Sequence, residues 1–329
     1  TSHISSGSFP TRELIHTMSS NATDTEAINN TSFILYTVTV VLGITGNSMV
    51  IWVAGFKLKP TVTNVWLVNL AIADLIFCFT RIFSLTQMKL SCWLFGPFLC
   101  QFHGFFKHTN MFCSVFVLAV ISLDRVLCVT QPVLTKHRRT LWAARVVAVC
   151  IWITAILFSI PYFIYRQTYL DNNLTKCAMV WVEKPVEYKS PKVVLYSLNF
   201  VCGFIIPFTV ILVCYILVGV GLRRTRLLRK SRLLRIVACL VIAFFLCWAP
   251  YHCLLLVDMV DNENKVVKIW YPVTKAVAYF NSCVNPLLYF CMGLEVKEGF
   301  RQKLMRVYKR ALADDMDSQM TQSTDRSLD

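Results

Sequence analysis

Seven long apolar stretches, near residues 33–56, 64–88, 97–129, 141–164, 193–222, 233–258 and 269–291, constrain this chain more than any motif does. A hydrocarbon core of about 30 Å takes about 20 apolar residues to cross at 1.5 Å each. Lipid offers no partner to a free backbone amide or carbonyl, so each stretch is expected to be helical. The expected fold class is therefore an all-α membrane protein, a seven-transmembrane helix bundle. Composition agrees, because 56% hydrophobic with 16% charged is too apolar for a soluble domain of 329 residues.

Basic residues set the expected orientation. Lys57 and Lys59 follow span one, and Lys136, Arg138 and Arg139 follow span three. Arg223, Arg224, Arg226, Arg229, Lys230, Arg232 and Arg235 follow span five. By the positive-inside rule these loops and the C-terminus are expected in the cytoplasm, with the N-terminus outside at the plasma membrane. The glycosylation acceptors Asn21, Asn29, Asn30 and Asn173 all fall on the predicted outside. The net charge of +15 does not point to nucleic acid, because most of it is juxtamembrane, where it faces anionic lipid. Residues 1–32 are polar, without the apolar run of a cleavable signal peptide, and read as a disordered extracellular segment with Met18 a candidate start. Residues 33–291 form the bundle, 292–312 an amphipathic juxtamembrane helix and 313–329 a disordered cytoplasmic tail. In that helix Phe300, Leu304 and Val307 share a face opposite Lys297, Arg301, Lys303, Arg306, Lys309 and Arg310.

Most of the fourteen cysteines sit inside spans as small apolar residues. Cys100 and Cys177 are both expected outside, in an oxidising compartment, and a bridge between them is expected. Cys92, also outside, has no obvious partner. Within span two, Asp74 is an ionisable group where charge is expensive and functional by default. Asn110 and Ser114 on span three, with Asn281 and Asn285 on span seven, supply oxygens at a comparable depth. One carboxylate with neutral oxygens suits a sodium ion; the alternative is a hydrated polar network with no specific ion.

Several motifs then occur in order on successive spans: Gly46-Asn47, Leu70-Ala71-Ile72-Ala73-Asp74, Asp124-Arg125-Val126, Trp152, Pro207 with Tyr215, Cys247-Trp248-Ala249-Pro250 and Asn285-Pro286-Leu287-Leu288-Tyr289. From about residue 33 to 312 the chain resembles the rhodopsin-type (class A) G-protein-coupled receptors. Val50 to Lys57, Trp93-Leu94-Phe95-Gly96, Asn110-Met111-Phe112 and Phe280-Asn281-Ser282-Cys283 resemble the leukocyte chemoattractant group. That group holds the formyl-peptide, anaphylatoxin, chemerin and second prostaglandin D receptors. The resemblance implies a cell-surface receptor, not an enzyme, that activates an inhibitory G protein and is regulated by receptor kinases and arrestin. The alternative is a non-signalling scavenger that internalises its ligand through arrestin. Sodium is the one ion implied, as an allosteric ligand.

The same resemblance assigns a switch. Asp124 holds Arg125 at rest, Tyr215 and Tyr289 line the opened crevice, and Trp248 with Phe244 couples the ligand site to kinks at Pro250 and Pro286. Val126 stands where tyrosine or cysteine is commoner in relatives, which leaves basal activity open. Ser318, Thr321, Ser323, Thr324 and Ser327 in the tail are candidate phosphorylation sites, against a simple solvated tail.

Four cations, Arg81, Lys107, Arg166 and Lys275, fall at related depths in the outer half, with His108 nearby. Facing inward, they trap an anion, and a free carboxylate on a peptide C-terminus or an eicosanoid-like lipid is the natural guest. Asn199, Tyr251 and Tyr279 are candidate hydrogen-bonding partners, with Phe106 and Phe280 as apolar wall. The alternative is that Arg81 snorkels into lipid and Lys275 pairs with an outside acid such as Asp258. Formyl-peptide receptors carry an acid at the position of His108 and arginines around Leu195 and Asn199, so this chain departs from that group's grip.

Overall fold

The computed structural model describes residues 12–180, 191–225, 232–261 and 264–291, with side chains from Glu26 onward apart from residues 132, 136, 221–236 and 289–291. The first span, α1 (Arg12–Val50), continues as a π-helical stretch, Ile51–Lys57. Next come α2 (Val62–Leu90), α3 (Gly96–Thr130), the short α4 (Pro132–Arg138) and α5 (Leu141–Tyr165). An antiparallel hairpin follows, β1 (Arg166–Asp171) with β2 (Leu174–Met179). Span five is α6 (Pro191–Phe200), a π-helical stretch Val201–Ile205 and α7 (Ile206–Thr225); α8 (Arg232–Val260) and α9 (Lys265–Cys291) complete the order. The expected helix over 292–312, the tail and its hydroxyl residues Ser318, Thr321, Ser323, Thr324 and Ser327 lie outside the described residues, as do the side chains of Asn21 and Tyr289.

Six helices are long and apolar enough to cross a bilayer among the described residues. The seventh, α9, has the length at 27 residues, but Lys265, Lys268, Lys275, Asn281 and Asn285 dilute its apolar content. The Asn pair is buried, so this polarity is turned inward. Outward faces are apolar instead: Val149, Ile153 and Leu157 on α5 and Ile242 and Leu246 on α8 are exposed, as a hydrocarbon solvent requires.

Local chemistry sets the ends. Thr61 caps α2 by accepting from the Asn64 amide at 3.1 Å, and Thr140 caps α5 by accepting from Ala143 at 3.2 Å. The hairpin turns on Asn172 and Asn173, both at positive φ (48° and 62°), the pair a two-residue turn with right-handed strand twist demands. Pro207 lacks an amide hydrogen, which leaves the preceding carbonyls to the wider π turns.

The N-terminal expectation is corrected. Helix α1 starts at Arg12 rather than at residue 33. No proline or glycine lies between Pro10 and Gly43, so nothing in the sequence stops the helix from propagating outward.

Candidate functional site

The Cys100–Cys177 bridge ties β2 to the start of α3, with Cα atoms 5.7 Å apart. Trp93 packs against it, donating its backbone amide to the Thr175 carbonyl (2.7 Å) and its indole N–H to the Gly96 carbonyl (2.8 Å). Gly96 sits at φ +74°, which favours glycine there. Cys92 is a free thiol, half-buried.

Beneath the hairpin is a cavity of about 580 Å³. Its walls come from α1, α2, α3, α9 and the hairpin, and include Tyr36, His103, Arg166, Tyr271 and Lys275. Arg81 lies under His103: its Nη2 donates to the His103 carbonyl (3.2 Å) and to Thr80 Oγ1 (3.0 Å). Arg81 is 0% exposed, so it does not snorkel into lipid. Its Nε and Nη1 have no partner. Lys107 is buried and donates to the Tyr251 hydroxyl at 2.7 Å.

One ring gathers this charge. Arg81 Cζ, Lys107 Nζ and Lys275 Nζ lie 4.9, 5.6 and 5.9 Å from the centre of the Tyr279 ring. Ring faces attract cations, by about 0.5–2 kcal/mol each, and Phe77, Tyr251 and Tyr271 supply further faces. No carboxylate pairs with Arg81, Lys107, Arg166 or Lys275 among the described residues. Asp258, the acid weighed as a partner for Lys275, is instead 2.8 Å from Lys192. Arg166 lines the cavity and bonds Cys177, its Nε donating to Sγ at 3.2 Å.

Other expected contacts do not join this group. His108 stacks on Tyr162, with ring centres 3.4 Å apart, and pairs with the Gly104 carbonyl at 2.9 Å. The Tyr162 hydroxyl donates to the Leu195 carbonyl, so α3, α5 and α6 are locked together there. Asn199 is buried beside Gly203 and Met111, its carbonyl oxygen unpaired. Phe106 packs on Phe102 and Phe105 rather than on the cavity. Conversely, Tyr36, Ser84, His103 and Tyr271 belong to the cavity and carried no sequence signal beyond their place near an outer helix end.

Deeper, Asp74 accepts from Asn110 Nδ2 (2.8 Å) and Asn285 Nδ2 (2.7 Å), and Ser282 Oγ donates to Asn110 Oδ1 at 3.4 Å. The Ser114 hydroxyl and the Asn281 and Asn285 carbonyl oxygens are buried with no partner. A carboxylate among orphaned neutral oxygens is the donor set a small hard cation takes. Ser282, next to Asn281, is the member the sequence did not single out.

At the far end Asp124 forms an ion pair with Arg125. It also accepts from Arg139 Nε at 2.8 Å, while Arg139 Nη2 donates to Thr63 on α2 at 3.1 Å. Tyr215 carries a buried hydroxyl with no partner. Between the ends, rings run from Tyr251 to Trp248 (5.8 Å) to Phe244 (5.9 Å) along α8, one turn from Pro250. Pro286 is buried against Gly46.

Residues 46–289 match the model of the 7 transmembrane receptor (rhodopsin family). The chain is 35% identical to Formyl peptide receptor 2 of Mus musculus, over 89% of this chain and 88% of that one. It is 38% identical to the C3a anaphylatoxin chemotactic receptor of Danio rerio, over 89% and 80%. It is 34% identical to the fMet-Leu-Phe receptor of Homo sapiens, over 90% and 89%.

Proposed function

Because the chain belongs to the rhodopsin family of seven-transmembrane receptors, we propose that it is a chemoattractant receptor for a ligand with a free carboxylate, coupled to an inhibitory G protein. The hairpin end then faces the extracellular fluid and the Arg125 end the cytoplasm. The observation that carries the ligand class is the set of cations around Tyr279 with no carboxylate to neutralise them among the described residues. A low-dielectric wall strengthens the attraction, and the free Nε and Nη1 of Arg81, on either side of the engaged Nη2, are unspent charged donors for an anion.

The ligand anion competes with the Tyr251 hydroxyl for the Lys107 ammonium. Releasing Tyr251 frees the ring stack with Trp248 and Phe244, and α8 pivots at Pro250. Arg125 leaves Asp124, and Tyr215 with Tyr289 receives it in the opened crevice. Asp74, Asn110, Ser114, Asn281 and Asn285 would hold a sodium ion, which would supply charge neutralisation that favours the resting state. Kinases acting on Ser318, Thr321, Ser323, Thr324 and Ser327, followed by arrestin, end the signal. Glycans are placed at Asn21, Asn29, Asn30 and Asn173, the last exposed at the hairpin turn.

The test is inhibition of cyclic AMP in cells expressing the chain, with and without pertussis toxin. Peptides with free or amidated C-termini and eicosanoid acids are applied. Toxin-sensitive responses to free acids alone are expected, with potency falling about 10- to 100-fold in Arg81→Gln, the loss of one charge-assisted contact. Equal potency of amide and acid rejects the carboxylate. Binding and internalisation without any G-protein response would mean a scavenger.

A further inference from the structure

The charge around Tyr279 poses a problem even when no ligand is bound. Arg81 and Lys107 are buried, and Lys275 is half-buried. Buried ions are stable only when paired, and ring faces soften that requirement without removing it. Among the described residues, two carboxylates at this end are already engaged, Asp171 with Lys176 and Asp258 with Lys192. Deeper, Asp74 is engaged by Asn110 and Asn285.

Donors, in contrast, are in surplus. Arg81 Nε and Nη1 are buried and unpartnered. The Lys107 ammonium has three protons and, among the described residues, one hydrogen-bond partner, the Tyr251 hydroxyl. The cavity leads toward them, because Lys275, Arg166 and His103 line it and Arg81, itself fully buried, bonds the His103 carbonyl. A small spherical anion needs no carboxylate geometry and accepts from guanidinium and ammonium alike.

We propose that Arg81, Lys107 and Lys275 hold a halide ion, chloride from the surrounding fluid, whenever no ligand is bound. A ligand carboxylate then takes the place of chloride; this exchange rests on the ligand class proposed above, whereas the halide site does not. Chloride is thus the resting counter-ion of the ligand site, and its concentration sets the apparent affinity of any acidic ligand. The position is distinct from the Asp74 cluster, which takes the opposite charge.

The experiment uses the purified full-length chain in lipid nanodiscs without ligand. Its unfolding midpoint is measured in sodium chloride and in sodium gluconate at equal ionic strength, so that sodium is constant. Chloride is expected to raise the midpoint saturably, by about 3 °C or more at saturation, as any ligand selective for the folded state does. Bromide should substitute. Lys275→Gln, a half-buried site that tolerates a neutral side chain, should weaken the effect, and Lys107→Gln should remove it. Broadening of the chlorine nuclear resonance by the unmutated protein gives a readout that needs no variant. Coincident unfolding in chloride and gluconate overturns the site, as does a chloride shift undiminished in both variants. A confirmed chloride effect that leaves acidic-ligand potency unchanged overturns the exchange and the carboxylate reading while the halide site stands.

Discussion

At the scale of single residues, Asp124 answers to two guanidinium groups. Arg125, its neighbour in sequence, and Arg139, across the α4 turn, share its two oxygens. Arg139 also reaches Thr63, so it draws the carboxylate toward α2 and away from Arg125. Neutralising Arg139 leaves Asp124 to Arg125 alone. Arg139→Gln is therefore expected to lower basal nucleotide exchange on the G protein about two- to fivefold, the range a partly exposed ion pair spans. Asp124→Asn releases both arginines and should raise it; a rise in Arg139→Gln would mean that Arg139 anchors the resting pair instead. In the sequence Arg139 is indistinguishable from a topology charge, one of a basic run after span three. Arg81 is a related case. Asp74, seven residues earlier on α2, puts it on the same face, and the structure turns it inward with Phe77, Thr80 and Tyr279 packed around it. Asp74 was legible because its partners were themselves polar residues inside apolar spans.

At the scale of elements, α1 and α9 meet where Gly46 faces Pro286. A methyl group on Gly46 would lie 2.8 Å from Pro286 Cγ, and a ring fused to another backbone cannot swing aside. Asn47, one residue on, donates to the Ser282 carbonyl at 2.9 Å and fixes the same contact. Gly46→Ala is expected to destabilise the fold by about 1–3 kcal/mol, lowering the unfolding midpoint by several degrees. An unchanged midpoint would show that α1 shifts to make room. Span positions were legible because apolar length alone sets them, and the capping residues Thr61 and Thr140 mark their starts. The π-helical stretches were not: Val201–Ile205 is apolar on every side, so the extra residue per turn leaves no break in periodicity. The seventh span was read from the apolar stretch near 269–291, and its weaker hydropathy reflects Asn281 and Asn285 turned inward toward Asp74.

For the whole molecule, charge is sorted by depth. Cations gather below the hairpin, a single carboxylate sits among amides at mid-depth, and a carboxylate shared by arginines closes the far end. If the middle cluster holds sodium, replacing sodium with a bulky organic cation at constant chloride should lower the unfolding midpoint of the unmutated chain. Asp74→Asn should abolish that difference; its persistence would assign the sodium effect elsewhere. The hairpin adds a further consequence. It is stapled to α3 by the disulfide and pinned through Trp93, while the remaining walls of the cavity come from α1, α2, α3 and α9. A guest therefore escapes past Phe33, Met88 and Pro272 rather than through the hairpin. Dwell time is then expected to depend on how often those three helices part there as well as on how tightly the innermost charges grip.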